Sequence, residues 1–266
     1  MKHSNRNLQF ACLAIAAVLM ISTGCTKLKA RDELNKGVAA FKAMQYKPAV
    51  EHFKTAVDLD PTMLNARLYL ATAYANQYVP GADSEANTQV GEQAVAEFQK
   101  VLQEDSQNTG SIGGIASIYF QMKRFDDAKE YYRKHVAVEP TNAEAFYSIG
   151  VINWTQTYQP RMELKKKLNL RPDEPIKDAK EKAALAEKSM GLVNEGIEVL
   201  TKAMANREEY DDAMAYLNLL YREKADLVES PVEREQLLTT ADEWVEKSLD
   251  IKKKRMAAET TGQIGG

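Results

Sequence analysis

Two apolar patterns divide this chain. Residues 8–21 (LQFACLAIAAVLMI) form one nearly unbroken apolar run, preceded by polar residues that include Lys2 and Arg6 and followed by Ser22, Thr23 and Gly24. A basic start, a run shorter than the roughly 20 residues a spanning helix needs, and a small-residue end predict a cleaved secretory signal peptide. Further on, small and large apolar residues recur at fixed intervals. A small residue is followed by another twelve later, a large apolar residue four on, a further small one three on, and often a proline five on. Gly37, Ala49, Phe53, Ala56 and Pro61 set the interval, and Ala116, Ala128, Tyr132, His135 and Pro140 repeat it. The two prolines lie 79 positions apart, twice 34 and a further 11, so a 34-residue unit recurs with one insertion.

Three looser copies share the pattern with a longer first interval: Ala71, Ala94, Phe98, Val101 and Ser106; Gly150, Gly196, Leu200 and Ala203; Asn218, Ala241, Val245 and Ser248. Tyr74, Tyr119 and Tyr221 each stand three after the first small residue. This pattern resembles the tetratricopeptide repeat (TPR), a 34-residue helix-turn-helix. Small facing residues let two helices approach closely, aromatics fill the gaps between them, and proline stops the second helix. The resemblance implies an all-α fold, a right-handed α-solenoid of about five helical hairpins over residues 30–251. The repeats fall at about 30–63, 64–108, 109–142, 143–210 and 211–251.

Insertions near 78–90, 158–191 and 224–238 all fall between the two helices of a hairpin. Either they form a binding edge or they simply lengthen the hairpins. The 34 extra residues of the fourth repeat equal one unit, so a degenerate sixth repeat is one reading. Lys166 and Asn169 at its buried positions, with Pro160, Pro172 and Pro175 nearby, favour an irregular loop over 158–176. Residues Lys177 to Asn206 read as one or two helices, and 252–266 as a basic, disordered tail.

Ser22-Thr23-Gly24-Cys25 resembles the lipobox of bacterial lipoproteins. That resemblance implies cleavage after residue 24, palmitate-type acylation of Cys25, and a lipidated linker at 25–29. Several acyl chains anchor a protein stably to a membrane. Thr26 stands where an Asp would mark inner-membrane retention, so the resemblance implies the outer membrane, with the body facing the periplasm. Removing Lys2 and Arg6 takes the formal charge from −3 to −5. The strongly basic face of a nucleic-acid binder is missing, and no nucleic-acid partner is expected. With cysteines only at 12 and 25, no disulfide framework or Cys-based zinc site holds the body together.

Catalytic chemistry is scarce. Beyond residue 24 the histidines are His52, read as a surface residue, and His135, read as a packed one. No catalytic dyad, metal-ligand spacing or cofactor motif follows from them, so no catalytic residue, metal or cofactor is expected. The Gly110-Ser-Ile-Gly-Gly114 stretch lacks the Lys-Ser/Thr of a phosphate loop; it reads as a helix start whose glycines admit a neighbouring helix or a bound peptide. The resemblance places the binding face on the first helix of each hairpin. Counting from the first small residue gives Leu34, Val38 and Phe41; Leu68, Thr72 and Ala75; Gly113, Ser117 and Phe120; Tyr147, Val151 and Trp154; Ala215, Leu219 and Arg222. Phe41, Leu68, Thr72, Ser117, Phe120, Tyr147, Val151, Trp154 and Leu219 are the groove residues this selects. An apolar, aromatic groove suits an amphipathic helix or an extended apolar peptide. The expected function is a non-enzymatic, lipid-anchored scaffold that docks envelope proteins, pilotin-like or in outer-membrane or secretion assembly. The alternative is a small-ligand binder or enzyme that uses the fourth-repeat insertion.

Overall fold

The computed structural model describes residues 25–263, with side chains through 258; the signal peptide expected at 1–24 lies outside the described residues. Every regular element among the described residues is an α-helix. The first covers 25–42 (α1). It is followed by α2 (Tyr46–Leu59), α3 (Leu64–Gln77), α4 (Glu85–Glu104), α5 (Thr109–Gln121), α6 (Phe125–Val138), α7 (Ala143–Lys167), α8 (Ala179–Asn206), α9 (Asp211–Leu227) and α10 (Pro231–Gln263). Their number among the described residues is that of the five repeats, two helices each. Two compact units divide them, one ending at Arg124 and the other starting at Phe125.

The repeating interval has a direct packing cause. A Cβ on Gly37 would lie 2.5 Å from Phe53 Cδ1, and one on Gly150 would lie 2.5 Å from Leu200 Cγ. The small residue of the first helix is thus the floor on which the large apolar residue of the second sits, and both large side chains are fully buried. Phe98 of α4 rests likewise on Gly114 of the next helix, α5, so that glycine serves close helix approach, while a Cβ on Gly110 would meet nothing nearer than 3.5 Å.

Turns and caps follow the same period. Met44, Lys123 and Asn169 each adopt positive φ just past a helix end. Around them the amides of Gln45, Arg124 and Leu170 donate back to the carbonyls of Ala40, Tyr119 and Lys165, which closes the last turn of α1, α5 and α7. Asn108 and Asn142, one 34-residue unit apart, cap α5 and α7 through hydrogen bonds from the Ser111 and Ala145 amides, both 2.9 Å.

The insertions lengthen helices. In the fourth pair α7 has 25 residues and α8 has 28, joined by a connector at 168–178. The loop expected over 158–176 is therefore confined to its second half, and the sixth repeat is not formed. Pro160 lies inside α7 on an exposed turn, where its ring needs no partner. Lys166 and Asn169 are both exposed, while Arg161, Leu164 and Lys165 point inward. Ile176 anchors the connector in a core of Leu164, Leu185, Val193, Leu200, Leu217 and Leu220. Similarly, α4 starts at Glu85 behind Ser84, whose hydroxyl caps the helix, and α10 starts at Pro231.

The expected disordered tail is corrected in part, because α10 continues through Gln263. Its end is tied to the start of α9: Ser248 Oγ donates to the Asp211 carbonyl at 3.0 Å, and Arg255 Nη2 to the Asp211 carboxylate at 2.8 Å. One core cluster of the first unit is Phe53, Val50, Val57 and Leu70 with five small residues around them, Ala49, Ala56, Ala66, Ala73 and the Gly37 floor. No helix among the described residues is long and apolar enough to cross a membrane.

Candidate functional site

The predicted groove residues sort into separate settings. In the first unit, α3 and α5 flank a cavity of about 430 Å³ whose lining includes Thr72, Asn76, Gly110, Ser117 and Gln121. Much of its polarity is committed locally: Thr72 Oγ1 donates to the Leu68 carbonyl at 2.8 Å, and Asn76 Nδ2 to the Thr72 carbonyl at 2.8 Å. Gln121 Nε2 donates to Ser117 Oγ at 3.2 Å. Thr72 and Ser117 thus line one cavity, while Leu68 is half-buried and outside its lining. Phe41 lies elsewhere, half-buried against the first-unit core and edge-on to Tyr46, with ring centres 5.4 Å apart. Phe120 is half-buried near the end of α5.

In the second unit the structure builds an aromatic run. Tyr147 meets Tyr216 at 5.6 Å and Tyr210 at 5.1 Å; Trp154 meets Tyr216 at 5.4 Å and Tyr158 at 5.0 Å. Burial pushes the Tyr147 and Tyr216 phenols above their ordinary range, so both stay protonated donors. Trp154 is half-buried, and its Nε1–H is enclosed without an acceptor. Val151 does not belong to this surface. It is only 8% exposed, so it is core.

Leu219 lines a different cavity, of about 330 Å³, together with Tyr158 and Arg161. Sequence reasoning missed Tyr158, Tyr210 and Tyr216. The signal for Tyr158 was its place four residues after Trp154, on the same face of a continuing helix; reading 158–176 as a loop removed it.

Behind the aromatic run α7 and α9 share buried ions. Arg161 Nε lies 2.8 Å from Glu223 Oε2, Arg161 Nη1 lies 2.8 Å from Asp226 Oδ2, and Lys165 Nζ lies 2.5 Å from that same oxygen. Burial raises Glu223 to about 7, against the pull of Arg161. Burial also lowers Lys165, which Asp226 opposes. The lysine, 1% exposed, completes its coordination by donating to the Pro172 and Glu174 carbonyls at 2.7 and 2.8 Å. A second network runs from Lys129 Nζ to Asn153 Oδ1 at 3.1 Å and from Asn153 Nδ2 to Glu195 Oε2 at 2.9 Å.

Both histidines have local carboxylate partners: His52 Nδ1 is 2.7 Å from Glu33 Oε2, and His135 Nε2 is 3.2 Å from Glu139 Oε2. No group of three or more potential metal ligands occurs among the described residues. Cys25 is an exposed thiol at the start of α1.

Comparison with known proteins agrees with this architecture. Residues 91–149 match the family model of the tetratricopeptide repeat. Among solved structures, MamA from Desulfovibrio magneticus RS-1 (residues 41 to the end) is similar, with a TM-score of 0.58 at 17% identity over 85% of this chain and 96% of that one. A further MamA crystal structure has a TM-score of 0.56 at 15% identity, over 83% and 96% of the two chains. YrrB, a TPR protein with an unusual peptide-binding site, has a TM-score of 0.50 at 14% identity, over 83% and 90%. No curated protein sequence matches the chain. The fold is an all-α, TPR-like array of helical hairpins.

Proposed function

We propose that the chain is a non-enzymatic scaffold that binds partner polypeptides along the aromatic run of α7 and α9. The observation that carries this reading is the half-buried ladder of Tyr147, Tyr216, Trp154 and Tyr158, with the unpartnered Trp154 Nε1–H among its rings. Aromatic side chains of this kind supply large contact areas at little cost in rotamer entropy, and their N–H and O–H groups fix a partner backbone. The likeness to YrrB, which has a peptide-binding site, supports a polypeptide ligand. The partners belong to the cell envelope on this reading, and the anchor is lipid on Cys25 with the body in the periplasm at the outer membrane. The apolar run at 8–21 and Ser22-Thr23-Gly24-Cys25 support that part.

A photo-crosslinking residue at Tyr158 tests the binding surface. It is expected to capture envelope polypeptides that a Trp154→Ala background loses and that the same probe at exposed Lys180 never captures. Equal capture from both positions contradicts the reading. The anchor has its own test, because Cys25→Ser is expected to move the protein from the membrane fraction to the soluble one. Unchanged sedimentation would refute lipidation.

A further inference from the structure

Enclosed polar groups without partners are few among the described residues, and they crowd one place. Of seven such atoms, five belong to the second unit; Arg161 Nε there is ion-paired with Glu223 Oε2 at 2.8 Å, and Gln156 Oε1 and Glu223 Oε1 are acceptors, so the free donors are Arg234 Nε and Trp154 Nε1. Arg234 lines the 330 Å³ cavity, and the Trp154 ring lies 5.0 Å from that of Tyr158, which lines it too. Both are donors, so what they lack is an acceptor. Buried polar groups are otherwise almost always satisfied.

The charges of the cavity wall are unevenly answered. Arg161 and Asp226 are ion-paired with each other, Arg222 pairs with Asp242, and Asp173 lies within ion-pair range of Arg171. Arg234 has no carboxylate partner among the described residues; its Nη2 donates to the Asp173 carbonyl at 3.3 Å. One guanidinium with an enclosed free donor therefore faces a chamber whose remaining walls include Leu219, Leu238 and Pro172. A guanidinium prefers a planar oxyanion, which it holds through paired N–H bonds. The leucines and proline select an apolar group beside that anion.

We infer that this cavity binds a carboxylate bearing one apolar group, with Arg234 as the anion-binding residue and Leu219, Leu238 and Pro172 holding the tail. The site is independent of the polypeptide surface proposed above, sharing only Tyr158 with it. Two sources offer this chemistry: a free small acid, or the terminal residue of a polypeptide, whose carboxylate and apolar side chain lie on one residue. An internal Asp or Glu does not fit, because it brings the carboxylate without the apolar group.

The probes are 3-phenylpropionate and its uncharged amide, titrated into the full-length protein by calorimetry and by amide chemical shifts. The acid is expected to bind at least ten-fold more tightly than the amide. Arg234→Gln should remove that preference and leave amide binding unchanged, whereas Leu238→Ala should weaken acid and amide alike. Arg234 is partly exposed and lies in the first turn of α10, so unaltered thermal melting is expected for its variant. Equal binding of acid and amide, absence of binding by either, or an acid preference that survives Arg234→Gln would each overturn the assignment. A hexapeptide ending in Phe, with a free or an amidated terminus, separates the sources. Tighter binding of the free-terminus peptide than of phenylpropionate assigns a chain end, and the reverse order assigns a free acid. Loss of polypeptide crosslinking at Tyr158 with acid binding intact would count against the scaffold reading alone.

Discussion

Replacing Gly150 with alanine sets two effects of opposite sign against each other. Alanine favours the helix interior over glycine by about 1 kcal/mol. The new methyl, however, would lie 2.5 Å from Leu200 Cγ and 2.6 Å from Cδ2, inside a fully buried contact. Overpacking of this kind costs about 1–3 kcal/mol, so Gly150→Ala is expected to be neutral to about 2 kcal/mol destabilising. Leu200→Ala alone opens a cavity and should cost about 2–5 kcal/mol. With Leu200 truncated, the methyl at 150 enters the vacated space and the propensity gain stands alone. The same substitution should then stabilise by about 1 kcal/mol, a reversal of sign that gives a coupling above about 1 kcal/mol. Urea unfolding followed by tryptophan fluorescence suits the test, since Trp154 and Trp244 both lie in the second unit with Gly150. A Gly150→Ala effect of equal size and sign in both backgrounds would refute the small-over-large explanation of the repeat.

Glu223→Gln should be more stable than the parent by about 3 kcal/mol near pH 8 and by about 1 kcal/mol near pH 5, from a carboxyl raised from 4.5 to about 7. The sign follows from proton binding: between those values the folded state holds the proton that the unfolded state has lost, so the parent loses stability as pH rises. Urea midpoints at the two pH values check it, and a variant less stable at both would show that the ionised Glu223–Arg161 pair is what matters. Lys165→Met strips the donor from the Pro172 and Glu174 carbonyls and leaves Asp226 with Arg161, so about 3–5 kcal/mol should be lost and limited proteolysis should cut first at 168–178. Met44→Gly and Lys123→Gly relieve positive φ and should each stabilise by about 0.5–1 kcal/mol in thermal melts; destabilisation by either would mean that its side chain matters more than its backbone. Arg255→Ala frees the end of α10 from Asp211, with about 0.5–1 kcal/mol lost and faster amide exchange in the first turn of α9 as its signature.

What could be read from the chain was what recurs through packing. Gly37 beneath Phe53 and Gly150 beneath Leu200 are the same contact, and it survives 34 additional residues because those residues extend both helices together. The caps at Asn108 and Asn142 recur for the same reason. The second-unit site was only half legible. Tyr147 and Trp154 come from the repeat register and Tyr158 from the next turn of the same helix, but Tyr216 joins them through tertiary placement that the register does not encode. Val151 was assigned to the surface because its neighbours in the register are, yet α7 turns it inward. The extension of α7 was hidden for two reasons: Pro160 reads as a breaker, and the inward positions carry Arg161 and Lys165 where a buried face normally shows apolar residues. Their partners, Glu223 and Asp226, lie more than sixty positions away and leave no local trace.

Lys165 grips the connector through main-chain oxygens, and that choice has an evolutionary consequence. A clasp that reads carbonyls is indifferent to which side chains the loop carries, so an exposed residue such as Asp173 is free to diversify while the path of the backbone stays fixed. The lysine and its aspartate have no such freedom. Related chains should therefore vary in the loop's outward face, where recognition can be retuned, around one unvarying internal cation.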